Sequence, residues 1–310
     1  MPTEKQLTCG YCSYRGIFKI HHVKEMMFGT GQIFDYAECP NCGSLQQLTI
    51  PENLSAFYPE DYYSFRELVP SSSLRNLLKT IRFYLFKWGF PFVKPLYGDW
   101  LRFTKVSKRS RIADVGCGNG QLLYELYASG FRNLEGYDPY IEKEVKINPN
   151  LSLFNKSVFE MKGKYDLIMM HHAFEHMVNF PKVMKKCFSL LNPGGYLLIR
   201  VPVTDAQVWK DEGVNWVQLD APRHLSIPST KGLMDLGRSV GFDTKKIVFD
   251  STSFQFWGTE LYKKGIPLRE GEEKLGSIFG NDMKKFHKKA LLNNKKGIGD
   301  QACLYFYRVF

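Results

Sequence analysis

The chain has 310 residues, room for one full domain and an appendage, and its 44% apolar content can support a large core. It contains no apolar run of about 18 residues and no signal-peptide core behind Met1-Pro-Thr-Glu-Lys-Gln6, so a cytoplasmic protein is expected, not a membrane-spanning or secreted one. The net charge of +11 is concentrated: residues 70–109 carry nine Lys or Arg against Asp99 alone, which points to an anionic partner or a solvated basic surface.

The first motif is Cys9-Gly-Tyr-Cys12 with Cys39-Pro-Asn-Cys42. Two C-x-x-C knuckles can present four thiolates tetrahedrally to Zn2+, and a site with four protein ligands is closed, hence structural. The 26 intervening residues exceed the usual ribbon spacing, but alternation in Gly16–Ile20 and Gln32–Glu38 suits the strands of a longer hairpin. Residues 1–50 therefore read as a zinc-ribbon-like module. Seven cysteines do not pair evenly, which makes disulfides the poorer reading.

Phe57-Tyr-Pro-Glu-Asp-Tyr-Tyr-Ser-Phe65 combines aromatic rings with acids, a composition suited to sugar stacking or to packing between modules. Pro70 and three serines mark a break. Leu74, Leu77, Leu78, Ile81, Leu85 and Trp88 then share one helical face, with Arg75, Lys79 and Arg82 on another. Residues 51–100 are expected to form a linker or lid whose apolar face covers the open end of the main sheet. Peripheral membrane contact through 74–97 is the alternative.

The catalytic domain is placed at 101–310. Ile112, Ala113 and Val115 form a short strand that runs into glycines at 116, 118 and 120 and then a helix over Gln121–Ser129. Such a turn removes the Cβ atoms that would block a ligand and offers free helix amides to a polar group. Asp138 ends a second strand, Leu134–Tyr137, where an acid can take both hydroxyls of a ribose. Further strands are expected at Leu151–Phe154, within Lys164–Met177 (the fourth strand and its exit loop), at Tyr196–Val201, at Thr244–Phe249 and at Ala302–Phe310, the last inserted in the sheet, with helices at Lys182–Leu191 and Ser229–Val240. Strand and helix alternate, as in a doubly wound, mostly parallel α/β sheet. Two insertions, 202–228 and 258–300, are long enough to select a substrate. Cys117, Cys187 and Cys303 look like ordinary buried positions.

The dinucleotide fingerprint would need glycine or alanine where Gln121 stands. Asp114-Val-Gly-Cys-Gly-Asn-Gly120 is instead similar to the first motif of class I S-adenosylmethionine-dependent methyltransferases. Leu191-Asn-Pro-Gly-Gly-Tyr-Leu-Leu-Ile199 resembles the family's approach to its fifth strand. The resemblance covers roughly 101–310 and implies a Rossmann-like seven-stranded sheet. It also implies S-adenosylmethionine at Asp114, Gly116, Cys117, Gly118, Gly120, Asp138 and His172. Glu175-His176 matches the family's frequent pair after the fourth strand, and the segment behind the zinc knuckles resembles bacterial methyltransferases of sugar and surface-glycan clusters.

Methyl transfer to a hydroxyl or acidic C–H benefits from a general base, and His has a suitable pKa. Glu175, His176 and His224 are the candidate catalytic residues, and Arg223 is a candidate for holding a phosphate or carboxylate. The expected acceptor is a nucleotide-linked sugar or glycan precursor. The rivals are an RNA methyltransferase using the zinc module and basic stretch, and a non-catalytic zinc-containing binding protein. Against RNA base methylation, no Asn/Asp-Pro-Pro-Tyr-type motif follows the fourth strand.

Overall fold

A computed structural model describes residues 3–58, 68–95 and 97–309, so most of the aromatic segment after Tyr58 lies outside the described residues. The strands β1 (Glu4–Thr8), β2 (Arg15–Lys24), β3 (Ile33–Glu38) and β4 (Leu45–Gln47) come first, followed by helices α1 (Ser73–Lys87) and α2 (Gly98–Thr104). The next stretch holds β5 (Arg111–Val115), α3 (Gln121–Ala128), β6 (Asn133–Tyr137), β7 (Val145–Asn148), β8 (Leu151–Phe154) and β9 (Tyr165–His171). After these come α4 (Phe180–Leu190), β10 (Leu191–Pro202), α5 (Gln207–Glu212), β11 (Ser226–Ile227), α6 (Thr230–Val240) and β12 (Phe242–Phe249). The chain closes with α7 (Phe254–Lys263), α8 (Leu268–Glu272), α9 (Leu275–Phe279), α10 (Asp282–Lys296) and β13 (Gln301–Arg308).

The main sheet has the order β12-β13-β10-β9-β5-β6-β8-β7. From β10 to β8 the pairs are parallel, and their side chains are buried on both faces, which explains continuous apolar runs such as Leu167–Met170. The carboxy-terminal strand β13 inserts antiparallel between β10 and β12, in keeping with its apolar, aromatic sequence. The doubly wound α/β sheet is thus the observed fold. A short antiparallel β7 at one edge brings the expected seven strands to eight. Helix α3 with α1 and α2 packs on one face, and α4 with α6 on the other. Ser229 caps α6 by accepting from the Gly232 amide, and Gly241 ends it in the left-handed region.

The amino-terminal strands build a second sheet, ordered β1-β2-β3-β4-β11, whose last strand comes from the insertion after β10. Tyr11 stacks on Phe180 of α4 at 4.2 Å and its hydroxyl meets Ser226 Oγ at 2.8 Å. Val23, Tyr36 and Leu45 share a core with Trp209, Trp216, Phe256 and Leu261. The cysteine-bearing segment is therefore one packed body with the insertion.

Helix α1 corrects the expected lid. Phe83 joins the core beside α3 and Phe86 is buried against α2, while Leu74, Leu77, Leu78, Ile81 and Trp88 face solvent. The stripe covers no part of the sheet.

Removing the Tyr11 ring should lower the unfolding free energy by about 3 kcal/mol, as for other buried aromatic truncations. Because the two sheets share a core, calorimetry of Tyr11→Ala should show one transition shifted as a whole. A small separate transition moving alone would show that the amino-terminal sheet unfolds independently.

Candidate functional site

The glycine turn sits at the carboxyl end of β5. Gly116, Gly118 and Gly120 all have positive φ, at 78°, 50° and 77°. A Cβ on Gly116 would lie 2.4 Å from Cβ of Ala173, so the turn and the exit of β9 approach closely only because Gly116 has no side chain. Asp138, at the end of β6, accepts from the Gly118 amide at 3.0 Å and the Tyr140 amide at 2.9 Å. Its carboxylate is thereby fixed beside the turn. Cys117 is buried against Gly136, consistent with a backbone role for that position.

Asp114 is buried, and its Oδ1 has no hydrogen-bond partner among the described residues. Burial, reinforced by the nearby charge of Asp138, pushes its carboxyl up to about 8. A buried carboxyl oxygen without a donor is costly unless something arrives to fill it. An acid of this kind beside a glycine cradle fits a ligand that brings N–H groups or a cation.

The exit of β9 divides two histidines. His171 stacks on Trp100 of α2, with ring centroids 4.2 Å apart, and both ring nitrogens are buried without a partner. Burial first, then Arg200, holds its pKa well below the ordinary value, so it is neutral. His172 takes a left-handed φ of 51° and turns the other way. Its Nε2 accepts from Arg200 Nη1 at 2.6 Å, so Nδ1 carries the proton, 3.5 Å from Glu175 Oε1. Arg200 is anchored in turn by Asp250 at 2.7 Å. His172 thus belongs to an ionic relay beside the turn. Sequence reading placed it at the cofactor and did not single out Arg200, whose only signal is a charge near the end of an apolar strand.

Glu175, His176 and His224 come together although 48 residues separate the second and third. Each offers a side-chain N or O within 4.8 Å of the others. Nδ1 of His176 lies 2.8 Å from the Arg223 carbonyl and 3.1 Å from the Tyr58 hydroxyl. Nδ1 of His224 lies 2.7 Å from the Gln218 carbonyl. A carbonyl can only accept, so both Nδ1 atoms are protonated, and in the neutral form of each ring the lone pair lies on Nε2. Burial, then the neighbouring His176, lowers the pKa of His224 to about 4. Glu175 is fully buried, and burial alone would raise it. Neither carboxyl oxygen has a close hydrogen-bond partner among the described residues, but His172 at 3.5 Å and the imidazoles of His176 and His224 outweigh burial and bring it to about 2.

Arg223 is not available to a ligand. Its guanidinium is fully buried, 2.6 Å from Asp220 Oδ1 and 3.0 Å from Glu25 Oε1, with Phe28 against its face. The expected anion-binding role is replaced by an internal ion cluster joining β2 to the insertion. A cleft of about 420 Å3 lined by Ser110, Asp166, Pro193 and Tyr307 opens at the other, amino-terminal end of the strands, away from these groups.

The four knuckle cysteines face one another. Cys9 and Cys42 sulfurs are 3.7 Å apart, as are those of Cys12 and Cys39. Tetrahedral ligands at the usual Zn–S length of about 2.3 Å would sit about 3.8 Å apart. The geometry therefore fits a four-thiolate metal site. Cys117, Cys187 and Cys303 are buried elsewhere.

Residues 93–246, just under half of the chain, match the family described as a methyltransferase domain, a span that holds the glycine turn and the histidine cluster. A ubiquinone biosynthesis O-methyltransferase of Ralstonia nicotianae is 26% identical over 116 residues, covering 34% of this chain and 48% of that protein. A tRNA U34 carboxymethyltransferase of Campylobacter curvus is 25% identical over 164 residues, covering 48% of this chain and 52% of that protein. The chain spans about half the length of the curated relatives it matches. Among solved structures, it is similar to an S-adenosylmethionine-dependent methyltransferase from Mesorhizobium loti, with TM-score 0.45 and 11% identity over 68% of this chain and 97% of that one.

The raised pKa of Asp114 makes stability depend on pH. The folded chain keeps a proton up to about pH 8 that the unfolded chain releases near its ordinary 3.8. Stability on this account is full below that ordinary value and declines as pH rises toward 8, at up to about 1.4 kcal/mol per unit. Asp114→Asn should flatten the decline in denaturant titrations. An identical slope in both proteins would mean that Asp114 is already ionised when folded.

Proposed function

We propose that this chain, whose residues 93–246 match the methyltransferase domain family, is a class I S-adenosylmethionine-dependent methyltransferase acting on a small polar acceptor. The observation that carries the reading is the pairing, across the Gly116–Ala173 contact, of a ligand cradle with a cluster of oriented imidazoles. In the cradle, Asp138 would hold the ribose hydroxyls, the backbone of Gly116, Cys117, Gly118 and Gly120 would line the cofactor, and the unpartnered oxygen of Asp114 would meet its amino group. His172, held by Arg200, would border this pocket. When bound, the cofactor supplies a methyl group on a sulfonium, open to in-line attack.

His176 is the proton acceptor in this reading. Its Nε2 lone pair is free, its Nδ1–H is fixed on the Arg223 carbonyl, and the buried negative charge of Glu175 stabilises the imidazolium that forms. His224, kept neutral by burial, sets the opposite wall of the acceptor position. A nucleotide-linked sugar or glycan precursor is the proposed acceptor. Its support is the resemblance of the segment from Phe57 to that of glycan-cluster enzymes, together with the Tyr58 hydroxyl at His176. The O-methyltransferase relative is consistent with an oxygen nucleophile. An RNA acceptor is the second reading, favoured by the basic stretch 70–109 and by the tRNA-modifying relative. It requires binding that weakens steeply with salt. The four knuckle thiolates are proposed to hold a structural zinc.

Titration calorimetry with S-adenosylhomocysteine should show binding that Asp138→Ala abolishes, and unchanged affinity would rule out the ribose assignment. With a nucleotide sugar that turns over, His176→Ala should lower the rate by about 100-fold or more while cofactor affinity holds. A smaller loss would remove base catalysis by His176. Metal analysis should find roughly one zinc per chain. Stripping it should lower the thermal midpoint of the whole molecule, because the knuckles are packed against α6 and α4.

A further inference from the structure

Helix α1 presents an apolar stripe to solvent. Leu74, Leu77, Leu78, Ile81 and Trp88 recur at helical spacing over about 21 Å, and all are exposed. Gly89, with φ of 104°, then turns the chain, and Phe90 and Phe92 just beyond it are also exposed, Phe92 at 98%. This is not a helix awaiting a core, because its other side is already buried, Phe83 against Phe131 and Phe86 against Gly98 and Arg102 of α2. Monomeric soluble proteins rarely leave so many large apolar side chains contiguous in water.

The charge around the stripe says what covers it. Helix α1 contains no acidic residue, and Arg75, Arg82 and Lys87 are exposed along it. Arg102, Lys105 and Arg109 continue the exposed cations beyond it, with Lys94 paired to Asp99. Tyr84 and Trp88, rings with a polar atom at one edge, lie where an interfacial helix carries its anchors. A second copy of the chain is a poor occupant. A two-fold contact would set these cations against their own duplicates with no acid on the helix to neutralise them. No helix among the described residues is long and apolar enough to cross a membrane, so the segment can only lie along a surface.

We propose that α1 and the Phe90–Phe92 turn dock this protein on an anionic lipid bilayer, with the leucine stripe, Trp88 and Phe92 entering the headgroup and upper acyl region. The flanking Lys and Arg pair with lipid phosphates. The docking is peripheral and reversible, since it rests on one short amphipathic element and salt-screened charges.

The test is flotation of the full chain with vesicles of phosphatidylglycerol and phosphatidylcholine in about a 3:7 ratio, against vesicles of phosphatidylcholine alone. Binding to the anionic vesicles is expected, falling several-fold between 50 and 300 mM salt, as surface charge pairing demands. Trp88→Ser combined with Phe92→Ser should reduce the bound fraction about tenfold, and Arg75→Glu with Lys87→Glu should remove the preference for anionic lipid. All four positions are exposed, so circular dichroism should confirm intact folding. No flotation with anionic vesicles, or flotation unaffected by both double variants, would overturn the proposal. So would a concentration-dependent dimer, seen by light scattering, that the Trp88/Phe92 variant abolishes while vesicles bind nothing. The readout needs neither cofactor nor acceptor, so it stands or falls separately from the methyltransferase reading.

Discussion

A guanidinium with no access to water holds the parts of this protein together. Arg223 bonds Asp220 in its own loop and Glu25 at the end of β2, and it lies over Phe28. A buried charge of this kind is tolerable only while its partners stay in place, and removing one partner typically costs about 3–5 kcal/mol. The consequence reaches the site directly. The carbonyl of Arg223 receives His176 Nδ1–H, and the next residue is His224. The amino-terminal sheet therefore sets the orientation of two imidazoles that lie far from it in the chain.

Two buried acids, Asp114 on β5 and Glu175 in the turn after β9, carry opposite electrostatic conditions. Asp114 faces the cradle with an unpartnered oxygen and the like charge of Asp138 nearby, and its carboxyl moves up to about 8. Glu175 is equally buried but is surrounded by three imidazoles, and its carboxyl moves down to about 2. Burial acts on both in the same direction, so the neighbours decide the outcome. One acid is poised to gain a donor, and the other supplies a fixed negative charge. Pairs of titratable groups pushed apart in this way are typical of working sites.

The cysteine knuckles connect to this arrangement through packing. Tyr11, inside the first knuckle, stacks on Phe180 at the start of α4, and the hydroxyl oxygen of Ser44 beside the second accepts from the Ser229 amide at the cap of α6. Gly232 passes so close that a Cβ there would meet Ser44 Oγ at 2.3 Å and Cys42 Sγ at 3.2 Å. The metal-binding geometry and both helices on one face of the main sheet thus constrain one another. Helix α1, on the opposite face, is held by Phe83 and Phe86 and by polar contacts such as Lys79–Glu125 and Thr80 to the Ala128 carbonyl, and keeps its leucine face free.

Local spacing alone was enough to read the alternating strands and helices, the glycine turn with Asp114 and Asp138, and the two thiolate knuckles. Each of these depends on residues within a few positions, or on a repeat of period two or 3.6. The insertion of β13 in the sheet was legible from its apolar, aromatic sequence, but its antiparallel direction was not, and the short edge strand β7, half polar, carried no such signal. The periodicity of α1 showed its leucine face but not the direction that face would take, since orientation depends on what Phe83 and Phe86 find to pack against. Likewise Arg223 looked like a ligand for an anion, and only the fold brought Glu25 across nearly two hundred residues to neutralise it. The pairing of His176 with His224, the neutrality of His171 under Trp100, and the Arg200–His172 relay were decided by tertiary structure. They rest on burial and on carbonyl and carboxylate partners that no local pattern can announce.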